Sequence, residues 1–249
     1  MERFKNKIVV ITGAGSGIGR STALRLDAEG ADLLIVDKNQ EDLAETKEML
    51  KNKNSSAHVL DISSISSTKK FFKDIEKNHQ KLDALINIAG ILRFDNSHEV
   101  ELENWNQILE INLTGTFFMC RHALPLLLKS KGAIVNVSST AALGAHAWTA
   151  AYSASKGGIS AFSKTLAVEY GMKGLNINCV CPASIETPMS SNPVMPKDID
   201  TRLLKKIMPL DGVNRSPDDI ASTIAFLASD DAKHITGETI DVNGGLYMD

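Results

Sequence analysis

The sequence predicts an α/β fold: a doubly wound parallel sheet of about seven strands with helices on both faces. Three observations predict it. Short β-branched runs alternate with segments of helical period along all 249 residues. Several runs, Ile8-Val9-Val10-Ile11 and Leu33-Leu34-Ile35-Val36 among them, are apolar without alternation, as strands covered on both faces require. A glycine-rich turn then joins the first run directly to the first helical segment.

In chain order, strands are expected at 7–12, 32–37, 57–60, 82–87, 133–138, 176–180 and 239–242. Helices are expected at 17–29, 41–52, 66–78, 105–129, 151–170 and 217–228. No Pro/Gly/Ser-rich linker, internal repeat or low-complexity tract divides the chain, so residues 1–249 are read as one domain. The segment 184–215 stands apart, with Pro188, Pro193, Pro196 and Pro209, Met189, Met195 and Met208, and weak periodicity. It follows a strand, where α/β folds bind ligands, and is read as a substrate lid; a plain surface loop is the alternative.

Composition narrows the function classes. A hydrophobic fraction of 43% and a charged fraction of 23% are ordinary for a globular chain. A net charge of −3 and a pI near 6.1 give no electrostatic reason to expect nucleic acid or an anionic membrane as partner. The start, Met1-Glu2-Arg3-Phe4-Lys5-Asn6-Lys7, has no apolar signal region, and no run is long enough to span a membrane, so a cytoplasmic location is expected. Three cysteines are too few for a disulfide scaffold; Cys179 and Cys181 share one face of a strand and read as core. The histidines at 58, 79, 98, 122, 146 and 234 show no ligand spacing, and no metal is expected.

The turn is Thr12-Gly13-Ala14-Gly15-Ser16-Gly17-Ile18-Gly19. Glycine permits the tight turn and close approach that let the amides of Gly13, Ser16, Gly17, Ile18 and Gly19 meet a pyrophosphate at a helix N-terminus. Asp37 closes the second strand, 18 residues past Gly19. An acidic side chain there accepts from the adenosine ribose hydroxyls and repels a 2′-phosphate, so NAD is expected over NADP. Lys38 follows at once and could soften that preference.

Tyr152 and Lys156 lie four residues apart in Tyr152-Ser153-Ala154-Ser155-Lys156, one helical turn on one face. Bringing a phenol from its ordinary pKa of about 10 to neutral pH takes about 4 kcal/mol. A cation about 4 Å away at an effective dielectric of about 20 supplies that much. The pair can therefore serve as an acid–base centre.

The glycine spacing, with this Tyr-x-x-x-Lys, resembles the short-chain dehydrogenase/reductase family, and the resemblance runs through the whole chain. It implies an NAD(P)-dependent oxidoreductase acting on CH–OH groups. Asp61-Ile62 looks like the pair that meets the adenine. Asn87-Ile88-Ala89-Gly90 is similar to the family's Asn-Asn-Ala-Gly, with Ile88 for the second Asn, and gives Asn87, Ala89 and Gly90 as cofactor contacts. Asn112 stands where the family has its catalytic Asn, and Ser139, 13 residues before Tyr152, where it has its Ser; Ser138 is assigned to structure. Pro182-Ala183-Ser184-Ile185-Glu186-Thr187 resembles the segment whose Pro182, Ile185 and Thr187 would hold the nicotinamide carboxamide, with Ala183 for Gly. Val242-Asn243-Gly244-Gly245 resembles Val-Asp-Gly-Gly, with Asn for Asp.

The implied reaction is hydride transfer between NAD(H) and a secondary alcohol or ketone. Ser139 and Tyr152 bind the substrate oxygen, Tyr152 moves the proton, and Lys156 lowers the tyrosine pKa and binds the nicotinamide ribose. Asn112 would anchor a relay water or simply bond within the core. The family places Leu92, Phe94, Ala141, Ala142, Leu143, His146, Trp148, Met189 and Met195 at the substrate, an apolar wall suited to a hydrophobic or medium-sized molecule. A 3-oxoacyl-(acyl carrier protein) reductase using NADPH is the alternative, with Lys129, Lys131 and Lys173 as candidate carrier contacts. A non-catalytic NAD-sensing scaffold is the other. A homotetramer built on helices 105–129 and 151–170 is the family expectation.

Overall fold

The computed structural model describes residues 2–144, 146–191 and 193–248. Seven strands form one parallel sheet: β1 (Ile8–Thr12), β2 (Asp32–Asp37), β3 (Ser56–Val59), β4 (Ala84–Asn87), β5 (Ala133–Val137), β6 (Asn176–Pro182) and β7 (Thr239–Val242). Their spatial order is β3-β2-β1-β4-β5-β6-β7, and every pairing is parallel. The order reverses between β1 and β4, and a crevice opens there at the carboxyl ends of the strands.

The helices are α1 (Gly17–Ala28), α2 (Gln40–Met49), α3 (Ile65–His79), α4 (Leu102–Ile108), α5 (Thr116–Ser130), α6 (Ala150–Tyr170), α7 (Pro188–Ser191) and α8 (Pro217–Leu227). Short polar side chains start several of them, as capping requires. Asn39 accepts from the Glu41 and Asp42 amides, Ser64 from Ser67, and Ser216 from Asp218, with Pro217 in the first turn of α8.

The apolar strands alternate in space though not in composition. Val9, Ile11, Leu33 and Ile35 pack with Ala23, Leu26, Ile220 and Ile224 of α1 and α8 on one face. Val10, Leu34 and Ile134 pack with Phe71, Phe72, Met119 and Leu127 of α3 and α5 on the other. Successive strand side chains point to opposite faces, so a strand buried on both sides must be apolar throughout.

The sequence-predicted elements all occur, with ends shifted by no more than three residues except in two places. The helix expected at 105–129 is three pieces: α4, a seven-residue π-helical segment at Leu109–Gly115, and α5. The expected lid at 184–215 carries α7 and a 3₁₀ helix at Thr201–Ile207, apart from Asn192, which lies outside the described residues. Its base is stapled: Ile185 bridges Arg215, the Glu186 amide donates to the Arg215 carbonyl at 2.9 Å, and the Arg215 amide donates to the Ser184 carbonyl at 3.2 Å. Among the described residues no helix is long and apolar enough to cross a membrane.

Candidate active site

The turn after β1 shows why glycine is needed. Gly13 and Gly17 have φ of 70° and 49°, in the left-handed region. A Cβ at Gly13 would lie 2.7 Å from the Ala89 nitrogen, and one at Gly19 would lie 1.8 Å from the Gly13 carbonyl oxygen. Ser16 at the start of α1 makes no side-chain cap bond, so first-turn amides of α1 remain available to an anion. Thr12, fully buried, accepts from the Ile88 and Ala89 amides at 3.1 and 3.3 Å and ties the turn to the exit of β4.

The Gly15 peptide is clamped from both sides. Its N–H donates to Asp37 Oδ2 at 2.9 Å, and its carbonyl accepts from the Arg20 guanidinium. Arg20 also donates to Thr46 and Glu45, both at 2.9 Å, which fastens the turn to α2. Asp61 accepts from the Ser63 amide and hydroxyl through Oδ1.

One cleft of about 420 Å³ runs along the crevice and is lined by Gly13, Ser16, Gly17, Ile18, Gly19, Asp37, Lys38, Asp61, Ile62, Ala89 and Gly90. Its wall continues through Ser139, Tyr152, Lys156, Pro182, Ile185 and Thr187 to Leu92, Phe94, His146 and Met189. Thr187 closes on the turn: its Cγ2 would lie 3.0 Å from a Cβ at Gly17.

Asn87, Trp148, Ala141, Ala142, Leu143 and Met195 are not part of that wall. The Asn87 side chain points into the core, where Nδ2 donates to Asn136 Oδ1 at 2.8 Å and to Cys120 Sγ at 3.3 Å. Trp148 adopts φ 64° and gives its carbonyl to the Asp95 amide at 2.8 Å.

Around Tyr152 the parts interlock. Ser139, buried, hydrogen-bonds the Tyr152 phenol and accepts from the Ala141 amide at 3.1 Å. Lys156, also buried, donates to the Val137 carbonyl at 2.8 Å, and its Nζ lies 5.7 Å from the Tyr152 ring centre. Ser138 donates to the Lys156 carbonyl at 2.8 Å and receives the Ser160 hydroxyl, a framework part. Asn112 is fully buried and grips Ile91 twice: Oδ1 accepts its amide at 2.8 Å and Nδ2 donates to its carbonyl at 2.9 Å. Nδ2 also donates to Ser155 Oγ at 3.1 Å, and Ser155 donates to the Tyr152 carbonyl. Both Nδ2 hydrogens and one acceptor position of Oδ1 are thus used by protein partners. A Cβ at Gly90 would fall 3.1 Å from Asn112 Oδ1 and 3.6 Å from Lys156 Nζ, so only glycine leaves this corner open.

The electrostatics differ from the expectation that Lys156 draws the tyrosine pKa down. Burial raises the Tyr152 phenol above its ordinary value and outweighs the hydrogen bond from Ser139. Burial also lowers Lys156, to about 8. Both groups are thereby pushed toward their neutral forms. His146 is lowered by burial, and its Nε2 has no partner among the described residues.

Thr12, Arg20 and Ser155 were not singled out from the sequence. Thr12 opens the glycine motif and Ser155 sits inside the Tyr-x-x-x-Lys stretch, so position was their signal; Arg20 had none.

A family described as enoyl-(acyl carrier protein) reductase matches residues 13–247. The chain is 36% identical to a 3β-hydroxysteroid dehydrogenase of Mediterraneibacter gnavus, over 99% of this chain and 96% of that protein. It is 35% identical to a meso-2,3-butanediol dehydrogenase of Serratia marcescens, over 98% and 95%. The crystal structure of a short-chain dehydrogenase from Mycobacterium paratuberculosis bound to NAD superposes with a TM-score of 0.90 at 27% identity, covering 98% of each chain. With the glycine turn, the Ser139–Tyr152–Lys156 cluster and the full-length likeness agreeing, the chain belongs to the short-chain dehydrogenase/reductase family and is an NAD(P)-dependent oxidoreductase acting on CH–OH or carbonyl groups.

Proposed function

We propose that the protein transfers a hydride between NAD(H) and a secondary alcohol or ketone of hydrophobic, medium size, with Tyr152 as the acid–base. The observation that carries this reading is the lining of the cleft. An Asp37 carboxylate and the Ser139, Tyr152 and Lys156 cluster line one cleft with apolar side chains that include Leu92, Phe94, Met189, Pro193 and Ile207, a lining that suits a dinucleotide with an acidic ribose contact and an apolar substrate.

The residues fit a dinucleotide. The α1 amides would take the pyrophosphate, Asp37 the adenosine ribose, Asp61 and Ile62 the adenine, and Pro182, Ile185 and Thr187 the carboxamide. When bound, the nicotinamide supplies the hydride in reduction and accepts it in oxidation. Ser139 and Tyr152 orient the substrate oxygen and stabilise the charge that grows on it, an interaction strongest in the transition state. The raised phenol stays protonated at neutral pH, so in reduction Tyr152 holds the proton it delivers to that oxygen. Lys156, charged below about pH 8, stabilises the phenolate left behind. Asn112 fixes Ile91 and, through Ser155, the Tyr152 backbone, and so acts by positioning.

The carrier-protein reading finds less support. Lys129 is paired with Glu76 at 3.2 Å and Lys173 lies over the Tyr170 ring at 4.9 Å. Lys131 lines a second cavity with Arg3 and Lys7, at the opposite ends of the strands. For a homotetramer, exposed apolar side chains on or beside α6, Val168 at 82% and Met172 at 98%, are surface an assembly would cover; a monomer in light scattering would rule it out.

The test is kcat/KM with NAD and NADP across a panel of secondary alcohols and ketones, with Tyr152→Phe as control. NAD preference, turnover of apolar substrates and a loss of roughly a thousandfold in the variant are expected. A preference for NADP, or turnover confined to acyl-carrier thioesters, overturns the reading. Tight NAD binding with no turnover would favour a sensing scaffold.

A further inference from the structure

The Asn of Val242-Asn243-Gly244-Gly245 has work that an Asp could not do. Asn243 is buried and uses both ends of its amide: Oδ1 accepts the Gly245 N–H at 2.9 Å and Nδ2 donates to the Tyr247 carbonyl at 3.1 Å. A carboxylate could accept the first hydrogen bond but has no hydrogen for the second. Gly244 and Gly245, at φ 61° and 78°, turn the chain back, and the Leu210 amide anchors the turn by donating to the Gly244 carbonyl at 3.0 Å.

That turn lays the Tyr247 ring against Gly144, where a Cβ would lie 2.1 Å from the ring Cζ. Gly144 follows the 3₁₀ turn Thr140–Ala142 that begins at Ser139, and its amide donates to the Thr140 carbonyl at 3.0 Å. Two residues on is His146, a wall of the substrate end of the cleft. On the far side of His146 the stretch is held by hydrogen bonds: Thr149 Oγ1 donates to the His146 carbonyl at 2.9 Å, and the Asp95 amide to the Trp148 carbonyl at 2.8 Å. On the Ser139 side the Leu143 and Gly144 amides bond back to the Thr140 carbonyl, and the Tyr247 ring covers Gly144.

We propose that Asn243 and Tyr247 form a C-terminal clasp that positions the segment carrying Gly144 and His146, and so sets substrate affinity without touching the reacting atoms. The proposal rests on the enzyme reading above for its kinetic consequence, but not for its structural one.

Two measurements test it. Hydrogen exchange over 140–150, read on the cofactor-free protein, should quicken roughly tenfold in Tyr247→Ala and in Asn243→Asp and stay near wild type in Tyr247→Phe, which keeps the ring. In turnover, Tyr247→Ala should raise the substrate KM about tenfold with kcat within about twofold and the NAD dissociation constant unchanged. The atoms nearest to a Cβ at Gly144 are those at the far end of the Tyr247 ring, so Gly144→Ala should mimic Tyr247→Ala, yet add nothing to it in the double variant, where that space has been vacated. Unchanged exchange in Tyr247→Ala, an unchanged KM, or additive effects of the two alanines overturns the clasp. Faster exchange in a protein that turns over nothing leaves the clasp standing and removes the enzyme reading instead.

Discussion

Lys156 Nζ donates to the Val137 carbonyl at 2.8 Å, so the ammonium beside Tyr152 is anchored to the end of β5 rather than free in the cleft. Its burial has a signed consequence. The group keeps its proton up to about pH 8 in the fold, against an ordinary value of 10.5. Between those values the unfolded chain binds more protons than the folded one, so stability rises with pH across that window. Below it the cost of the buried charge is fully present.

Lys156→Met removes that term. The wild type should gain on the variant as pH rises from about 8 to 10.5, by up to about 3 kcal/mol, read by denaturant unfolding at each pH. In the oxidation direction, where Tyr152 must act as a base, activity should fall most severely at neutral pH and return in part at alkaline pH, where the phenol ionises unaided. Parallel stability curves over the window would show that the lysine is not desolvated as described.

Asn112→Ala would leave the Ile91 amide and carbonyl without the partners they now have. Each buried group left unpaired costs about 1–3 kcal/mol. A lowered Tm and weaker NAD binding are expected together, because Gly90 and Ile91 line the cleft proposed to hold the cofactor. Tight binding in a destabilised variant would separate the two effects and confine Asn112 to the core.

Asp37 accepts from the Gly15 and Asn39 amides and is proposed to meet the adenosine ribose, and two variants separate these roles. Asp37→Asn keeps an acceptor for the Gly15 amide and drops the charge; it should shift kcat/KM toward NADP roughly tenfold with little change in Tm. Asp37→Ala loses both and should lower Tm by a few degrees as well. Equal Tm values would remove the turn-holding role, and an unmoved cofactor ratio would remove the charge argument.

The strands and the glycine turn were legible because their causes are local: apolar runs for burial on both faces, and φ values open to glycine. What was not legible has physical reasons too. Asn87 opens a motif that borders the cleft, and it pairs in register with Thr12 and Asn136 while its side chain enters the core with Asn136. Trp148 is close in sequence to Ser139, yet a left-handed backbone angle accompanies its absence from the cleft wall. The pKa of Tyr152 was argued from one neighbouring charge, whereas burial, which a sequence does not display, is the larger effect.

The π-helical segment at Leu109–Gly115 makes this part of the chain intolerant of changes in length. A π turn accommodates one residue more than an α turn. Deleting one residue there would let ordinary α turns close while α4 and α5 keep their faces, since the extra residue is what the wide turn absorbs. The helix would survive and its composition would barely change, but Asn112, which lies inside the segment, would lose its present direction toward Ile91. Substitutions here test side chains; a single deletion would test the wide turn that aims one of them.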